Sequence, residues 1–160
     1  MALQRSLGKN LVLYKDRLFP SQFSKRSSLR YVSTVGIGGN IGDVVRRFIH
    51  LVYALKRFRG VDVMECSVIL KNPPFGYAKQ DDFYNAILKL KTSMTPRRFL
   101  DFLLRLEKRF GRKRSFANAP RTLDLDMIFF DARIIKTARL TLPHPHWSQR
   151  ESVVIPLSYM

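Results

Sequence analysis

The 160-residue chain is poor in cysteine and has no long hydrophobic run. Cys66 is the only cysteine, which excludes an intrachain disulfide and a metal site built from four cysteines, and we expect it to be a small buried core residue. No stretch reaches about 18 consecutive apolar residues, the length that a membrane-spanning helix needs, so no membrane span is expected. The apolar fraction of 46% is sufficient for one globular domain with a real core.

Acidic residues are also scarce. Twelve acidic residues face 29 basic ones, and the formal net charge is +17. Such an excess attracts anions, which leaves nucleic acid, anionic lipid and nucleotides as partner classes. Charge alone does not choose among them, and a generally basic background would give the same composition.

Two of the few acids are spaced one residue apart in an otherwise apolar run. Asp124 and Asp126 lie within residues 123–130, which read as a strand, so both carboxylates point to the same face. Like charges side by side are unfavourable unless something neutralises them, and a divalent cation, most often magnesium, is the usual partner for paired oxygen ligands. A surface pair at a sheet edge is the alternative. Basic residues on both sides of the pair instead favour a polyphosphate held through magnesium: Arg112, Lys113, Arg114, Arg121, His144 and Arg150.

The first 31 residues differ from the rest of the chain. They carry seven basic residues and a single acid, Asp16, which gives this segment a charge of +6. Their composition resembles an organelle transit peptide, and a tail that depends on the true start site is an equal alternative. We predict a poorly ordered basic extension over residues 1–31 and a domain over residues 32–160.

The periodicity of the remaining residues predicts the order β-α-β-β-α-β. Strands are expected at 32–37, 62–70, 83–90 and 123–130, and amphipathic helices at 43–58 and 95–110. This order is typical of an α+β, ferredoxin-like sandwich with an antiparallel sheet and both helices on one face. The glycine cluster at 36–42 is not a dinucleotide-binding or P-loop motif, because Ile41 interrupts the first pattern and no lysine completes the second.

Several blocks of the chain resemble one family in the family's own order. The most specific block is residues 120–126, which read PRTLDLD, and the resemblance covers about residues 32–157. The family is 6-hydroxymethyl-7,8-dihydropterin pyrophosphokinase, an enzyme of folate synthesis. The other matching blocks are residues 38–40, 72–76 through Gln80, 82–86, Glu107, 111–114, 140–145, Arg150 and 156–157.

The resemblance implies a ferredoxin-like fold and transfer of pyrophosphate from ATP to the pterin's hydroxymethyl oxygen, with release of AMP. It implies two magnesium ions bound by Asp124 and Asp126, with ATP as the co-substrate. Arg112 and Arg114 would lie in a mobile catalytic loop and close over the phosphates. The residues implied at ATP are Glu107, Arg112, Arg114, Arg121, Arg139, Thr141, His144 and Arg150. Those implied at the pterin are Asn72, Pro73, Phe75, Phe83 and Asn85.

The chain departs from the family pattern at three places. Asn72 stands where the family usually has threonine, and Ser152 where it often has an aromatic that covers the second pterin face. We expect that half of the stack to be weakened or supplied by another residue such as Trp147. The loop before Pro120 lacks the family's usual tryptophan, and Phe116 is the expected substitute. Altered affinity is expected rather than lost activity.

Two other functions are compatible with parts of the sequence, an RNA-binding module and a regulatory nucleotide-binding domain. The same element order serves RNA-recognition domains, but the third-strand signature of that fold is missing from residues 83–90. A regulatory domain that binds nucleotide without turnover is disfavoured by the retained acids and arginines. We therefore expect a cytoplasmic monomer that binds ATP and hydroxymethyldihydropterin, with no membrane partner and only incidental nucleic-acid binding.

Overall fold

The computed structural model describes residues 3–23 and 26–160. Within them lie ten strands, three α-helices and one 3₁₀ turn at Trp147–Gln149. The helices are α1 (Val44–Leu55), α2 (Pro96–Arg109) and α3 (Glu151–Ser158). The strands are β1 (Leu3–Gly8), β2 (Leu11–Lys15), β3 (Ser21–Gln22), β4 (Tyr31–Gly39), β5 (Val61–Cys66), β6 (Ile69–Asn72), β7 (Phe83–Thr92), β8 (Asp124–Phe130), β9 (Ile135–Lys136) and β10 (Thr141–Leu142).

The predicted β-α-β-β-α-β order is confirmed as β4-α1-β5-β7-α2-β8. In the main sheet these strands lie in the order β8-β4-β7-β5, and every pairing is antiparallel. The predicted strand at 62–70 is instead two strands, because the strand is interrupted at Ser67. There the Ser67 side-chain oxygen accepts from the backbone of Ile87, and β5 and β6 then pair with successive parts of β7.

Helices α1 and α2 cover one face of the sheet, as predicted. Phe48 and Leu51 of α1 and Phe99 and Leu103 of α2 are fully or almost fully buried in the largest core cluster. Gly111 follows α2 with φ of +86°, a backbone conformation that glycine adopts without strain and that ends many helices. This packing leaves the other face of the sheet free for a site.

A third helix, which the sequence analysis did not predict, covers part of that second face. Helix α3 packs Val153 against Ile87 of β7 and Ile128 of β8. It is only eight residues long and contains Pro156. A short apolar segment with an internal proline carries little helical periodicity, so the pattern of the sequence did not reveal it.

The N-terminal segment differs from the poorly ordered extension that its composition predicted. Strands β1 and β2 form an antiparallel hairpin, and β2 pairs with β6, so residues 3–15 extend the main sheet. The reason is the alternation of Leu11 and Leu13, which are buried with Val68 and Leu70. Their burial offsets the cost of ordering a charged segment.

Residues 3–23 and 26–160 contain no helix that is long and apolar enough to cross a membrane.

Candidate active site

Three neighbouring strands build the floor of the candidate site on the second face of the sheet. Gly38 of β4 lies opposite Asn85 of β7 on one side and Asp124 of β8 on the other, while Gly36 lies opposite Asp126. A Cβ atom added at Gly38 would lie 2.5 Å from Oδ1 of Asn85. Gly38 therefore makes room for the amide of Asn85. Together the two glycines form a bare strip of β4, without side chains of its own, between that amide and the two carboxylates, which accounts for glycines that no nucleotide-binding motif explained.

Two cavities, each of about 480 Å³, meet at the two carboxylates beside this strip. The first is lined by basic residues and by both acids, and seven predicted site residues contribute to it: Arg112, Arg114, Arg121, Asp124, Asp126, His144 and Arg150. The second is partly apolar and takes in all five residues predicted for the pterin: Asn72, Pro73, Phe75, Phe83 and Asn85. Arg121, Asp124, Asp126 and Arg150 line both cavities, so the acid pair lies at their junction.

The two acids differ in electrostatic environment. Asp124 accepts a hydrogen bond from Nη1 of Arg112 at 2.9 Å, and Nη1 of Arg121 lies 3.5 Å from its other oxygen. None of the ion pairs found in the described part of the chain includes Asp126. Burial, and then the like charge of Asp124, raise the pKa of Asp126 to about 7. The ionised form of Asp126 is therefore disfavoured in the chain alone, because the charge of Arg150 only partly offsets burial and the charge of Asp124.

This donor set fits a magnesium ion. Magnesium is usually bound by one or two carboxylates together with water and substrate phosphates rather than by an all-protein cage. Within residues 3–23 and 26–160 no group of three or more histidine, cysteine or acidic side chains could hold a metal. Asp124 and Asp126 would thus supply the protein ligands, and the cation would stabilise the ionised form of Asp126.

Glu107, predicted at ATP, lies beneath the first cavity and lines neither cavity. Its side chain is buried and accepts from the backbone N–H of Leu125 at 2.7 Å and from Arg114 at 3.0 Å. Nη1 of Arg112 is 3.8 Å from its second oxygen. Burial raises the pKa of Glu107, and the hydrogen bond from Leu125 opposes that rise. In this structure Glu107 holds the start of β8 and two arginines in place.

Two other residues predicted at ATP are also placed away from the cavities. Arg139 forms an ion pair with Asp101 at 2.6 Å, and Thr141 lies in the short strand β10; neither lines either cavity. His144 does line the first cavity. Burial, followed by the charge of Arg150, lowers the pKa of His144, so at neutral pH it can offer a hydrogen bond but little positive charge.

In the second cavity, Asn72 orients Asn85. Nδ2 of Asn85 donates to Oδ1 of Asn72 at 2.7 Å, and Nδ2 of Asn72 donates to the backbone oxygen of Pro73 at 3.0 Å. The asparagine that replaces the family's threonine thus has a defined partner. Phe75 is 83% exposed, which excludes core packing as the reason for this aromatic residue. Phe83 is half-buried, with the guanidinium of Arg121 5.2 Å from its ring centroid.

Phe116 and Trp147 were the two aromatic residues expected to replace those that the family has, and only Phe116 lies at a cavity. Phe116 lines the first cavity and packs edge-on against Tyr77, with ring centroids 5.2 Å apart. Trp147 packs edge-on against Phe129 at 4.9 Å and lines neither cavity, so it does not cover the face next to Ser152. Ser152 itself lines the second cavity. Trp147 was proposed from nearness in sequence, but the apolar surface of Phe129 holds it elsewhere.

Two residues of the N-terminal segment line the second cavity, although the sequence did not predict a site there. They are Lys9 and Leu11 of the hairpin, next to the residues predicted for the pterin. The apolar run of Leu11, Val12 and Leu13 was the available signal, but the basic composition of residues 1–31 concealed it.

An α+β sandwich with an acid pair between an arginine-lined and an aromatic-lined cavity is of the class that carries out phosphoryl transfer, where the protein positions groups and neutralises charge. Residues 34–160 match the sequence model of 7,8-dihydro-6-hydroxymethylpterin-pyrophosphokinase, and the chain belongs to this family. Three relatives are named 2-amino-4-hydroxy-6-hydroxymethyldihydropteridine pyrophosphokinase. The Helicobacter pylori protein is 42% identical over 145 residues, 89% of each chain. The Campylobacter jejuni protein is 36% identical over 143 residues, 89% of this chain and 91% of the relative. The Synechocystis protein is 40% identical over 126 residues, 79% of this chain and 64% of the relative.

The raised pKa of Asp126 predicts a pH-dependent stability. Between its ordinary value of 3.8 and about 7, the folded chain holds a proton that the unfolded chain has lost. Stability therefore falls as pH rises through this window and is level above it. Because Asp126→Asn removes the titration, we expect the variant in metal-free buffer to match the parent near pH 4 and to be more stable by roughly 4 kcal/mol at pH 8. Thermal unfolding at both pH values tests this, and a stability difference that does not change with pH would contradict it.

Proposed function

We propose that this chain transfers pyrophosphate from ATP to the hydroxymethyl oxygen of 6-hydroxymethyl-7,8-dihydropterin and releases AMP. The observation that carries the proposal is the position of Asp124 and Asp126 at the junction of the two cavities. A donor and an acceptor that occupy neighbouring cavities can meet only at such a junction, and that is where the charge of the transferred group develops. The names of the relatives specify the same chemistry for those proteins.

In this proposal the arginine-lined cavity takes the triphosphate. Arg112 and Arg121 flank Asp124, and each guanidinium retains N–H donors beyond those that the carboxylate accepts. Planar guanidinium groups match phosphate oxygens in pairs and keep their charge at all relevant pH values. Arg114 and Arg150, which line the same cavity and are more exposed, would extend this clamp along the phosphate chain.

The bare strip would take the pterin. A flat heterocycle needs a surface without protruding side chains, and Gly36 and Gly38 provide one. Asn85 is held by Asn72 so that its Oδ1 lies over Gly38, where it can accept a hydrogen bond from an N–H of the ring. Phe83 and Phe75 supply apolar area beside the strip.

We propose two magnesium ions at Asp124 and Asp126. When bound, they would neutralise phosphate charge and lower the pKa of the attacking alcohol. The side chains of the protein orient both substrates and, by closing the loop that carries Arg112 and Arg114, exclude water from the junction. A strong general base would then not be required.

The proposal extends to the state of the chain. We propose that the chain works as a monomer. We propose that the partners are the two small substrates, that nucleic acid binds only through general charge, and that the protein works in the cytoplasm.

The direct test is AMP production by the purified chain. We expect AMP only when ATP, magnesium and hydroxymethyldihydropterin are all present, and none when EDTA removes the metal. AMP formed at the same rate without the pterin would indicate an ATP hydrolase. Absence of AMP from the complete mixture would contradict the proposed function.

Asn85 provides a test of the pterin side. Asn85→Ala removes the amide that faces the strip, and we expect the Kd for the pterin to rise about 10- to 100-fold, since a lost hydrogen bond at a desolvated site costs about 1–3 kcal/mol. The Kd for an ATP analogue should not change. Gln22→Ala, which removes an amide that lines neither cavity, is the matched control. An unchanged Kd for the pterin in Asn85→Ala would place the ring elsewhere.

A further inference from the structure

The N-terminal hairpin lies outside the family match and yet borders the pterin cavity. The match covers residues 34–160, whereas β1 and β2 occupy residues 3–15. Strand β2 pairs with β6, and β6 pairs with β7, so the hairpin continues the row of strands that carries Asn72 and Asn85. The tip of the hairpin therefore lies at the rim of the second cavity, where Lys9 and Leu11 line it.

The hairpin is fixed firmly enough to serve as a wall. Leu11 and Leu13 are only 7% and 4% exposed, and they pack with Leu70 of β6 and with Ile155 of helix α3. The hairpin and α3 thus share one apolar cluster. Burial of these leucine side chains stabilises the docked position of the hairpin.

Helix α3, which packs beside the hairpin, brings no aromatic side chain to this cavity. Helix α3 and the turn before it line the cavity with Gln149, Arg150, Glu151, Ser152 and Val153. Ser152 is too small to cover a ring, and Trp147 packs on Phe129 instead. Leu11 of the hairpin brings an apolar side chain to this cavity, and it lies outside the residues that match the family model.

We propose that this hairpin is the outer wall of the pterin pocket and that Lys9 is a substrate-binding residue. The inference rests on the proposed function. The hydroxymethyl group must face Asp124 and Asp126, so the opposite edge of the heterocycle points away from the acids and towards the hairpin. That edge carries a carbonyl oxygen and one unprotonated ring nitrogen, which accept hydrogen bonds from the ammonium of Lys9, as well as an amino group and a ring N–H that donate. Leu11 contacts the ring beside them.

Two further features of Lys9 support this assignment. Lys9 and Asn10 form the two-residue turn of the hairpin with φ of 50° and 63°, as a type I′ turn requires. Such positions favour asparagine and glycine, so lysine here does not improve the turn. The ion pairs among residues 3–23 and 26–160 do not include Lys9, which leaves its charge available to a ligand.

These features allow a test in which binding and stability change in opposite directions. Lys9→Asn suits the turn better but removes the ammonium, so we expect an equal or higher Tm together with a five- to tenfold weaker Kd for hydroxymethyldihydropterin. The Kd is measured with magnesium and a non-hydrolysable ATP analogue present. Lys9→Arg, which keeps a cationic donor, should retain most of the affinity. Lys15→Asn, at the far end of the same hairpin, is the matched control.

The outcomes separate the two proposals. If the parent chain binds the pterin and Lys9→Asn binds it equally well, the hairpin inference is overturned while the proposed function stands. If Lys9→Asn weakens binding of the ATP analogue without pterin by the same factor, the loss is a general charge effect. That result would also overturn the hairpin inference. If the parent chain binds ATP analogue but no pterin, both proposals fail.

Discussion

An Asp126→Ala variant is expected to fold like the parent and to lose about a thousandfold or more in kcat. Asp126 lies at the junction of both cavities, and its ionised form is disfavoured in the chain alone. Loss of a metal ligand at the reacting centre removes several kcal/mol of charge stabilisation, and each 1.36 kcal/mol is a tenfold change in rate. Steady-state AMP formation at saturating ATP and pterin measures the effect.

The control for this variant is Glu65→Gln. Glu65 lies on β5, accepts a hydrogen bond from Gln22 and lines neither cavity, so removal of its charge should leave kcat unchanged. Circular dichroism and thermal unfolding establish that both variants are folded. Turnover by Asp126→Ala within tenfold of the parent would show that this carboxylate does not hold the metal.

The second large effect is expected for Arg121→Ala, which should lower kcat/KM about 100-fold. Nε of Arg121 donates to the backbone oxygen of Ala119 at 3.0 Å, and the guanidinium lies between Asp124 and the ring of Phe83. It is thus placed to contact both substrates. Charge-assisted hydrogen bonds contribute about 1.5–3 kcal/mol each, so the loss of two at the lower end of that range gives this magnitude.

Two further variants test whether the geometry of Arg121 matters in addition to its charge. Arg121→Lys keeps the charge but not the planar fork, so it should recover only part of the activity. Arg133→Ala removes an arginine that stacks on Tyr31 and lines neither cavity, and it should be neutral. Equal kcat/KM for Arg121→Ala and the parent would contradict the proposed clamp.

The sequence predicted those parts of the site that depend on local geometry. The spacing of Asp124 and Asp126 placed both carboxylates on one face of a strand, and the structure has them on one face of β8, opposite Gly38 and Gly36. Periodicity predicted the four strands and two helices of the sandwich, because each has apolar residues that recur on one buried face. Only the family resemblance placed Asn85 and Phe83 at the pterin. From the residues alone, Asn85 was expected to cap a turn and Phe83 to pack in the core.

The parts that the sequence did not predict depend on contacts between distant segments. The hairpin of residues 3–15 is ordered by Val68 and Leu70, some 55 residues further along the chain. Composition describes residues 1–31 as a charged tail and contains no information on that contact. Arg139 likewise meets Asp101 across 38 residues, which no local pattern reveals.

The central claim is that Asp124 and Asp126 bind divalent ions that hold ATP in line with the pterin alcohol. A crystal structure with manganese in place of magnesium, a non-hydrolysable ATP analogue and the pterin tests it most directly, since manganese is located by its anomalous scattering. The account predicts metal ligated by both carboxylates and by phosphate oxygens. Anomalous density absent from these acids, with the nucleotide bound and both side chains free of metal, would contradict it.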